Sequence, residues 1–215
     1  MSGPQEALIR DACEALAEAC PVMAKAYQEI GVPGWRASPA EYATLCRLVT
    51  HQQISTTAAN AIWSRVTTRF NPLTPEAVLT APEGALAACG LSRPKVAHLT
   101  SIAHALTNGE LDLAAIVDAP FEEAKTSLVA VKGIGPWTAE VFLLYAAGAL
   151  DAFPTADIGL TESHRLLSGA EERPDAKTFQ ILGEAWRPYR GVAAHLLWGW
   201  LNQKRAEEGR SSSQA

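Results

Sequence analysis

The chain has 215 residues, of which 48% are hydrophobic and 19% charged, and its formal net charge is −5. That length fits one domain, or one domain of two closely packed lobes, and the composition excludes a disordered, collagenous or fibrous protein. No apolar run reaches the roughly 18–20 residues that a membrane-crossing helix needs.

Leu8, Ala12, Leu16 and Ala19 recur at three- and four-residue spacing and predict a helix with one apolar face. Pro21 interrupts it, and a second short helix is expected to end near Gly31. Residues 32–38 read as a connection. Ser38-Pro39-Ala40-Glu41 has the makings of a helix start, with Ser38 to cap, Pro39 in the first turn and Glu41 reaching back. Thr80-Ala81-Pro82-Glu83 repeats the device. Ser92 precedes a helix expected to reach about Leu106, stopped by Asn108-Gly109. Further helices are predicted over about 121–130, from Pro136 to about Ala147, and over about 158–168, 176–186 and 189–206. No segment alternates convincingly with the period of two that a strand requires, so the chain reads as all-α, with residues 207–215 as a flexible tail.

Cys13, Cys20, Cys46 and Cys89 are scattered and form no C-x-x-C pair, so they read as small buried apolar residues. The first twenty residues lack the basic and apolar regions of a signal peptide, which leads to the expectation of a cytoplasmic protein. The charge is uneven. Residues 1–30 carry two basic and five acidic side chains, 31–105 six and three, and 106–215 ten and fifteen. A surface facing nucleic acid would have to draw on the middle stretch and on backbone donors, since phosphate contacts need local positive charge.

The most informative segment is Leu128-Val129-Ala130-Val131-Lys132-Gly133-Ile134-Gly135-Pro136-Trp137-Thr138-Ala139-Glu140. A helix ends, two glycines flank one apolar residue, and another helix starts at once. Glycine permits positive φ and close backbone approach, and Ile134 is suited to plug the core. The hairpin N–H groups and the first turn of the next helix then form an anion site fit for a phosphate. A plain Gly-rich connection between helices is the competing interpretation.

This stretch resembles the helix–hairpin–helix signature of the DNA glycosylase superfamily, and within it the 3-methyladenine DNA glycosylase II (alkylpurine) family. Thr50-His51-Gln52-Gln53-Ile54-Ser55, Gly90-Leu91-Ser92-Arg93-Pro94-Lys95, Phe153-Pro154-Thr155-Ala156-Asp157-Ile158-Gly159, and Trp186-Arg187-Pro188-Tyr189-Arg190 with Trp198 resemble further family segments in the same order. The similarity runs over about residues 36–202. It implies a two-lobed helical fold without a β domain. One lobe would comprise about 1–37 and 126–206, the other about 38–125, with the hairpin and Asp157 facing the cleft between them.

By that resemblance Asp157 is the catalytic carboxylate. It would stabilise positive charge on the sugar as the N-glycosidic bond breaks and orient or deprotonate water. The family often shows Asp-Asp here, whereas this chain has Ala156-Asp157, which leaves a single acid. Asp157 could equally cap the helix from Ile158, and both roles are compatible. Trp137 stands where relatives that also cut the backbone carry a Schiff-base lysine, so a monofunctional, water-using enzyme is implied. Trp137 and Trp198 are expected to wall the base pocket, Trp137 stacking on a cationic base; core packing is the alternative for both.

Gln53 is expected to fill the gap left by an extruded base, beside Gln52. The expected DNA interface comprises Gln52, Gln53, Lys95, Lys132, Gly133, Ile134, Gly135 and Thr138. His51 is a further candidate for contact with DNA or the pocket. No cysteine lies beyond Cys89, which excludes the iron–sulfur cluster some relatives hold, and the five histidines lack metal-ligand spacing. No cofactor is expected, although the resemblance leaves room for a monovalent cation on backbone carbonyls of the hairpin.

The leading expectation is thus a monomeric, monofunctional glycosylase that releases 3-methyladenine or 7-methylguanine from damaged double-stranded DNA, nucleoid-associated if the source is bacterial. The alternatives are the same chemistry on deaminated, oxidised or N1-/N3-alkylated bases, and a non-catalytic DNA-binding module.

Overall fold

The computed structural model describes residues 3–212, and among these there is no β-strand. The chain divides into two compact units. Residues 38–147 form one; residues 1–37 and 148–215 form the other.

The 38–147 unit holds α3 (Tyr42–His51), α4 (Thr56–Arg69), α5 (Pro75–Leu79), α6 (Ala85–Ala88), α7 (Arg93–Thr107), α8 (Leu113–Asp118), α9 (Phe121–Val129) and α10 (Pro136–Ala146). The second unit holds α1 (Glu6–Ala19), α2 (Pro21–Ile30), α11 (Ile158–Ser168), α12 (Ala176–Gly183), a 3-10 turn (Glu184–Trp186) and α13 (Arg190–Ser212). In the 38–147 unit, α10 packs on α9 and α3, and α3 packs on α4 and α7. Leu45, Leu99, Ile102, Leu128, Phe142 and Leu144 fill its core. Every residue of α10 from Thr138 to Ala146 is buried, which explains why that helix is apolar on most of its surface, with Glu140 paired to Lys125.

These contacts move one expected boundary. Residues 126–147 belong with 38–125 and not with the termini, because the hairpin helix α10 packs its apolar surface onto α3 and α9. The segment 207–212 continues α13 as helix and does not fray as a tail; the rest of the expected tail, 213–215, lies outside the described residues.

Local expectations fared unevenly. The ranges of α7, α9, α10 and α11 agree with those read from the sequence to within one or two residues. The buried stripe of α1 is Ile9, Ala12, Cys13 and Leu16, while Leu8 and Ala19 are exposed. The true stripe keeps the 3.6 period and shares Ala12 and Leu16, but turns toward Ile9 and Cys13, an ambiguity that an Ala-rich helix permits. Ser38 does not cap. The N-cap of α3 is Glu41, and the Ser38 N–H is used by the Tyr145 carbonyl at 3.0 Å. The 80–83 stretch likewise fails to start a helix; α6 follows Gly84, which is left-handed at φ 81. The helix expected to run to 186 ends at Gly183 and tightens into the 3-10 turn. Cys13, Cys46 and Cys89 are buried as expected, whereas Cys20 is partly exposed.

The second unit is built to hold one loop. Arg190, itself buried, grips Asp151 through Nε and Nη2, both at 2.9 Å, and the Gly191 N–H donates to the Leu150 carbonyl at 2.7 Å. Phe153 packs between Phe179 and Trp186. The loop that leads into α11 is thereby fixed by a bidentate ion pair and an aromatic cluster.

Candidate active site

The hairpin between α9 and α10 is closed by backbone bonds from Val131 to Leu128 (3.1 Å) and from Ile134 to Val131 (3.0 Å). Gly133 has φ +103, and a Cβ there would lie 2.5 Å from His98 Cβ and 3.0 Å from its Cα. Only glycine satisfies both conditions. Gly135 differs. Its φ is −84, it is the N-cap of α10, and a Cβ on it would meet nothing within 4 Å. The expectation of special backbone freedom therefore holds at Gly133 and not at Gly135.

Ile134 is the buried plug the pattern implies, so any ligand contact it makes runs through its backbone. Lys132 is exposed. Thr138 corrects the sequence reading: it is 1% exposed, and its Oγ1 accepts a 2.7 Å hydrogen bond from Gln52 Nε2. Its side chain is therefore a support for the Gln52 turn and not a surface group.

The turn after α3 carries the sharpest backbone feature. Gln53 has φ +55, the sole positive φ outside glycine among the described residues, and it is exposed. Gln52, the C-cap of α3, donates its N–H to the Val49 carbonyl at 3.3 Å. Lys95, expected to reach toward phosphate, is aimed instead at this turn. Its Nζ donates to the carbonyls of Thr50 (2.7 Å) and Gln52 (2.8 Å). Burial holds the Lys95 ammonium below the usual lysine range. His51 is engaged within the same unit, with Nδ1 on the Arg47 carbonyl at 2.8 Å and Nε2 on Asn60 Oδ1 at 3.0 Å. Trp137, half-buried, lies in the first turn of α10.

In the other unit Asp157 is the N-cap of α11, so the capping role foreseen for it is real. Its Oδ1 accepts from the Leu160 N–H at 3.0 Å and from the Trp198 indole Nε1–H at 3.0 Å. Two donors on one oxygen hold that side of the carboxylate in place. Trp198 is 8% exposed. The Arg36 guanidinium lies 5.2 Å over its ring, and His195 meets it edge-on with centroids 5.8 Å apart. Trp198 is thus engaged through its N–H, one face and an edge.

The layer behind Trp198 was invisible in the sequence, where 32–38 read only as a connection. The Arg36 N–H donates to His195 Nε2 at 3.2 Å, and His195 Nδ1 lies 2.8 Å from the Gly191 carbonyl. Trp35 stacks on the imidazole at 4.1 Å. A ring nitrogen that accepts while the other faces a carbonyl defines a neutral Nδ1–H tautomer. Burial, with the nearby Arg36 charge in support, pushes the imidazole down to about 4 against the opposing bond to Gly191. The signal that could have been noticed is Trp35-Arg36 after Pro33-Gly34, an aromatic–cation pair in a stretch otherwise read as loop. Among the described residues no cluster of three or more His, Cys, Asp or Glu is arranged to hold a metal ion, and no helix is long and apolar enough to cross a membrane.

A two-glycine hairpin opening a buried helix, and a carboxylate capping another helix, define a helix–hairpin–helix protein of the glycosylase type. The family model of the HhH-GPD superfamily base excision DNA repair proteins matches residues 46–188. DNA-3-methyladenine glycosylase 1 of Schizosaccharomyces pombe is 32% identical over 161 residues, covering 73% of this chain and 71% of its own length. The alkylbase DNA glycosidase-like protein mag2 of the same yeast is 27% identical over 164 residues, covering 74% and 77%. Among solved structures, the Schizosaccharomyces pombe 3-methyladenine DNA glycosylase in complex with abasic DNA gives a TM-score of 0.80 at 28% identity, over 87% of this chain and 95% of that one. A DNA-3-methyladenine glycosidase from Bacillus halodurans gives 0.73 at 30% identity, over 90% and 89%. The chain belongs to the HhH-GPD superfamily of base excision DNA repair proteins, and within it to the DNA glycosylases, which are N-glycosyl hydrolases.

Proposed function

We propose that this glycosylase is monofunctional and releases alkylated purines of the 3-methyladenine and 7-methylguanine class from duplex DNA. The observation that carries this is the Asp157 carboxylate, held on Oδ1 by the Leu160 N–H and the Trp198 indole. The substrate class follows the named activity of the yeast relative that matches most of the chain.

The hairpin amides around Gly133 and Gly135 bind a backbone phosphate, with Lys132 adding charge. Extruding the damaged nucleotide costs a few kcal/mol of stacking and pairing, and the exposed Gln53 side chain fills the space it leaves. Trp137 stacks on the cationic base, an attraction worth about 0.5–2 kcal/mol. The bond between C1′ and the base nitrogen then breaks, its electron pair leaving with the base, whose positive charge is thereby neutralised. The oxocarbenium-like sugar is stabilised by the Asp157 anion. Water adds its oxygen to C1′ and passes a proton to that carboxylate or to solvent. No cofactor takes part. An indole at 137 cannot form a Schiff base, so the product is an abasic site in an unbroken strand.

Incubation with randomly methylated duplex DNA, followed by identification of the freed bases, tests this. Release of 3-methyladenine or 7-methylguanine with strand breaks only after alkali is expected. Release of deaminated or oxidised bases alone, from duplexes that carry them, would replace the substrate class. Binding without any release would reduce the chain to a DNA-binding module.

A further inference from the structure

Lys95 lies in the first turn of α7, the end of a helix where the macrodipole disfavours a cation. Its ammonium does not serve α7. It donates to the carbonyls of Thr50 and Gln52, at 2.7 and 2.8 Å, in the last turn and C-cap of α3. There the dipole favours positive charge, and carbonyls lack partners within the helix. The side chain of Gln52 is tied separately to α10, through the 2.7 Å bond to Thr138 Oγ1. The next residue is Gln53, exposed and left-handed at φ +55. A residue with a Cβ persists in that region only when its surroundings over-determine it.

We propose that Lys95 is the positioning residue of the Gln53 turn, clamping the carbonyls of Thr50 and Gln52 so that the Gln53 amide is presented to the duplex already ordered. The proposal rests on the reading of Gln53 as the residue that fills the gap. Lys95 touches neither substrate nor phosphate in this role. Its two occupied N–H groups face protein carbonyls, and the tie from Gln52 to Thr138 leaves the turn with no slack in the preceding residue. Preordering matters because displacing a positioned group by a small distance can slow a reaction far more than the weakened interaction alone would suggest.

Two measurements on the full chain test the clamp with the Lys95→Met and Lys95→Arg variants. In single-turnover excision of 7-methylguanine, Lys95→Met should be about tenfold slower on a fully paired duplex. It should match the wild type closely when the lesion faces an abasic analogue, where little extrusion work remains. Lys95→Arg, which keeps donors, should recover most of the paired rate. Equal slowing on both duplexes would mark a general packing defect and overturn the proposal, as would a wild-type rate for Lys95→Met on the paired duplex.

The second measurement does not need base release. A duplex with 2-aminopurine beside an abasic analogue brightens when its stack is opened. A rise with the wild type and a much weaker one with Lys95→Met supports the clamp. Equal rises leave Gln53 as gap-filler and overturn the clamp alone. No rise with the wild type overturns both.

Discussion

Residues 38–147 and residues 148–212 present polar groups in contrasting ways. The first set carries a glycine hairpin and one exposed glutamine on a left-handed turn, shaped by glycine, burial and the Lys95 bonds to the Thr50 and Gln52 carbonyls. The second presents a single carboxylate, immobilised by an indole and a helix N-terminus and braced by the Arg190–Asp151 pair. A backbone-built site is broken by adding atoms. A side-chain site is broken by changing a functional group while leaving the shape intact. The two regions should therefore fail differently when mutated.

The largest expected effect is chemical. Asp157→Asn keeps an oxygen for the Leu160 and Trp198 donors, and asparagine is as good an N-cap as aspartate. Excision should fall by about 10²–10³-fold, the loss typical of removing one electrostatic stabiliser, with melting temperature and duplex affinity nearly unchanged. Single-turnover kinetics beside a melting curve would show it; full activity in this variant would remove Asp157 from the mechanism.

Within the hairpin the contrast can be sharpened between two glycines. Gly133→Ala meets both the positive φ and the backbone of His98, so a loss of about 3 kcal/mol in urea unfolding is expected. Gly135→Ala points its methyl into open space and should leave stability within about 0.5 kcal/mol, yet weaken duplex binding if the amides there carry a phosphate. Equal destabilisation by both would contradict the geometry.

A third effect lies behind Trp198 and depends on pH. His195 takes a proton at 6.5 when exposed but only at about 4 in the fold. The unfolded chain therefore binds more protons between those values, and stability rises with pH across that window. The contribution is complete above about 6.5 and is lost as pH falls toward 4, amounting to on the order of 2–3 kcal/mol. Urea unfolding at pH 7 and 4.5 should show a smaller decline in His195→Gln than in the wild type; an equal decline would show that another group controls the acid limb.

What could be read from the sequence were features with local causes. Gly133 and Ile134 announce the hairpin because turn geometry and core plugging are properties of neighbouring residues, and Asp157 before Ile158 announces a cap for the same reason. Thr138 and Lys95 are expected at the DNA interface because they lie in segments that resemble the family's. Their partners, Gln52 and Thr50, lie 86 and 45 residues away, and no periodicity reveals such pairings. The Trp35–Arg36–His195 layer was hidden for the same reason, its hydrogen-bonded partners lying 159 positions apart. The misplaced unit boundary has a related origin: α10 has no single apolar face, so its sequence does not say which neighbours it chooses.

At each remaining left-handed position among the described residues the chain uses glycine, from Gly31 to Gly169. Position 53 is the exception. Glycine would adopt φ +55 without steric objection, so conformational ease cannot be why glutamine stands there. What glutamine adds over glycine at that position is reach and an amide at its tip.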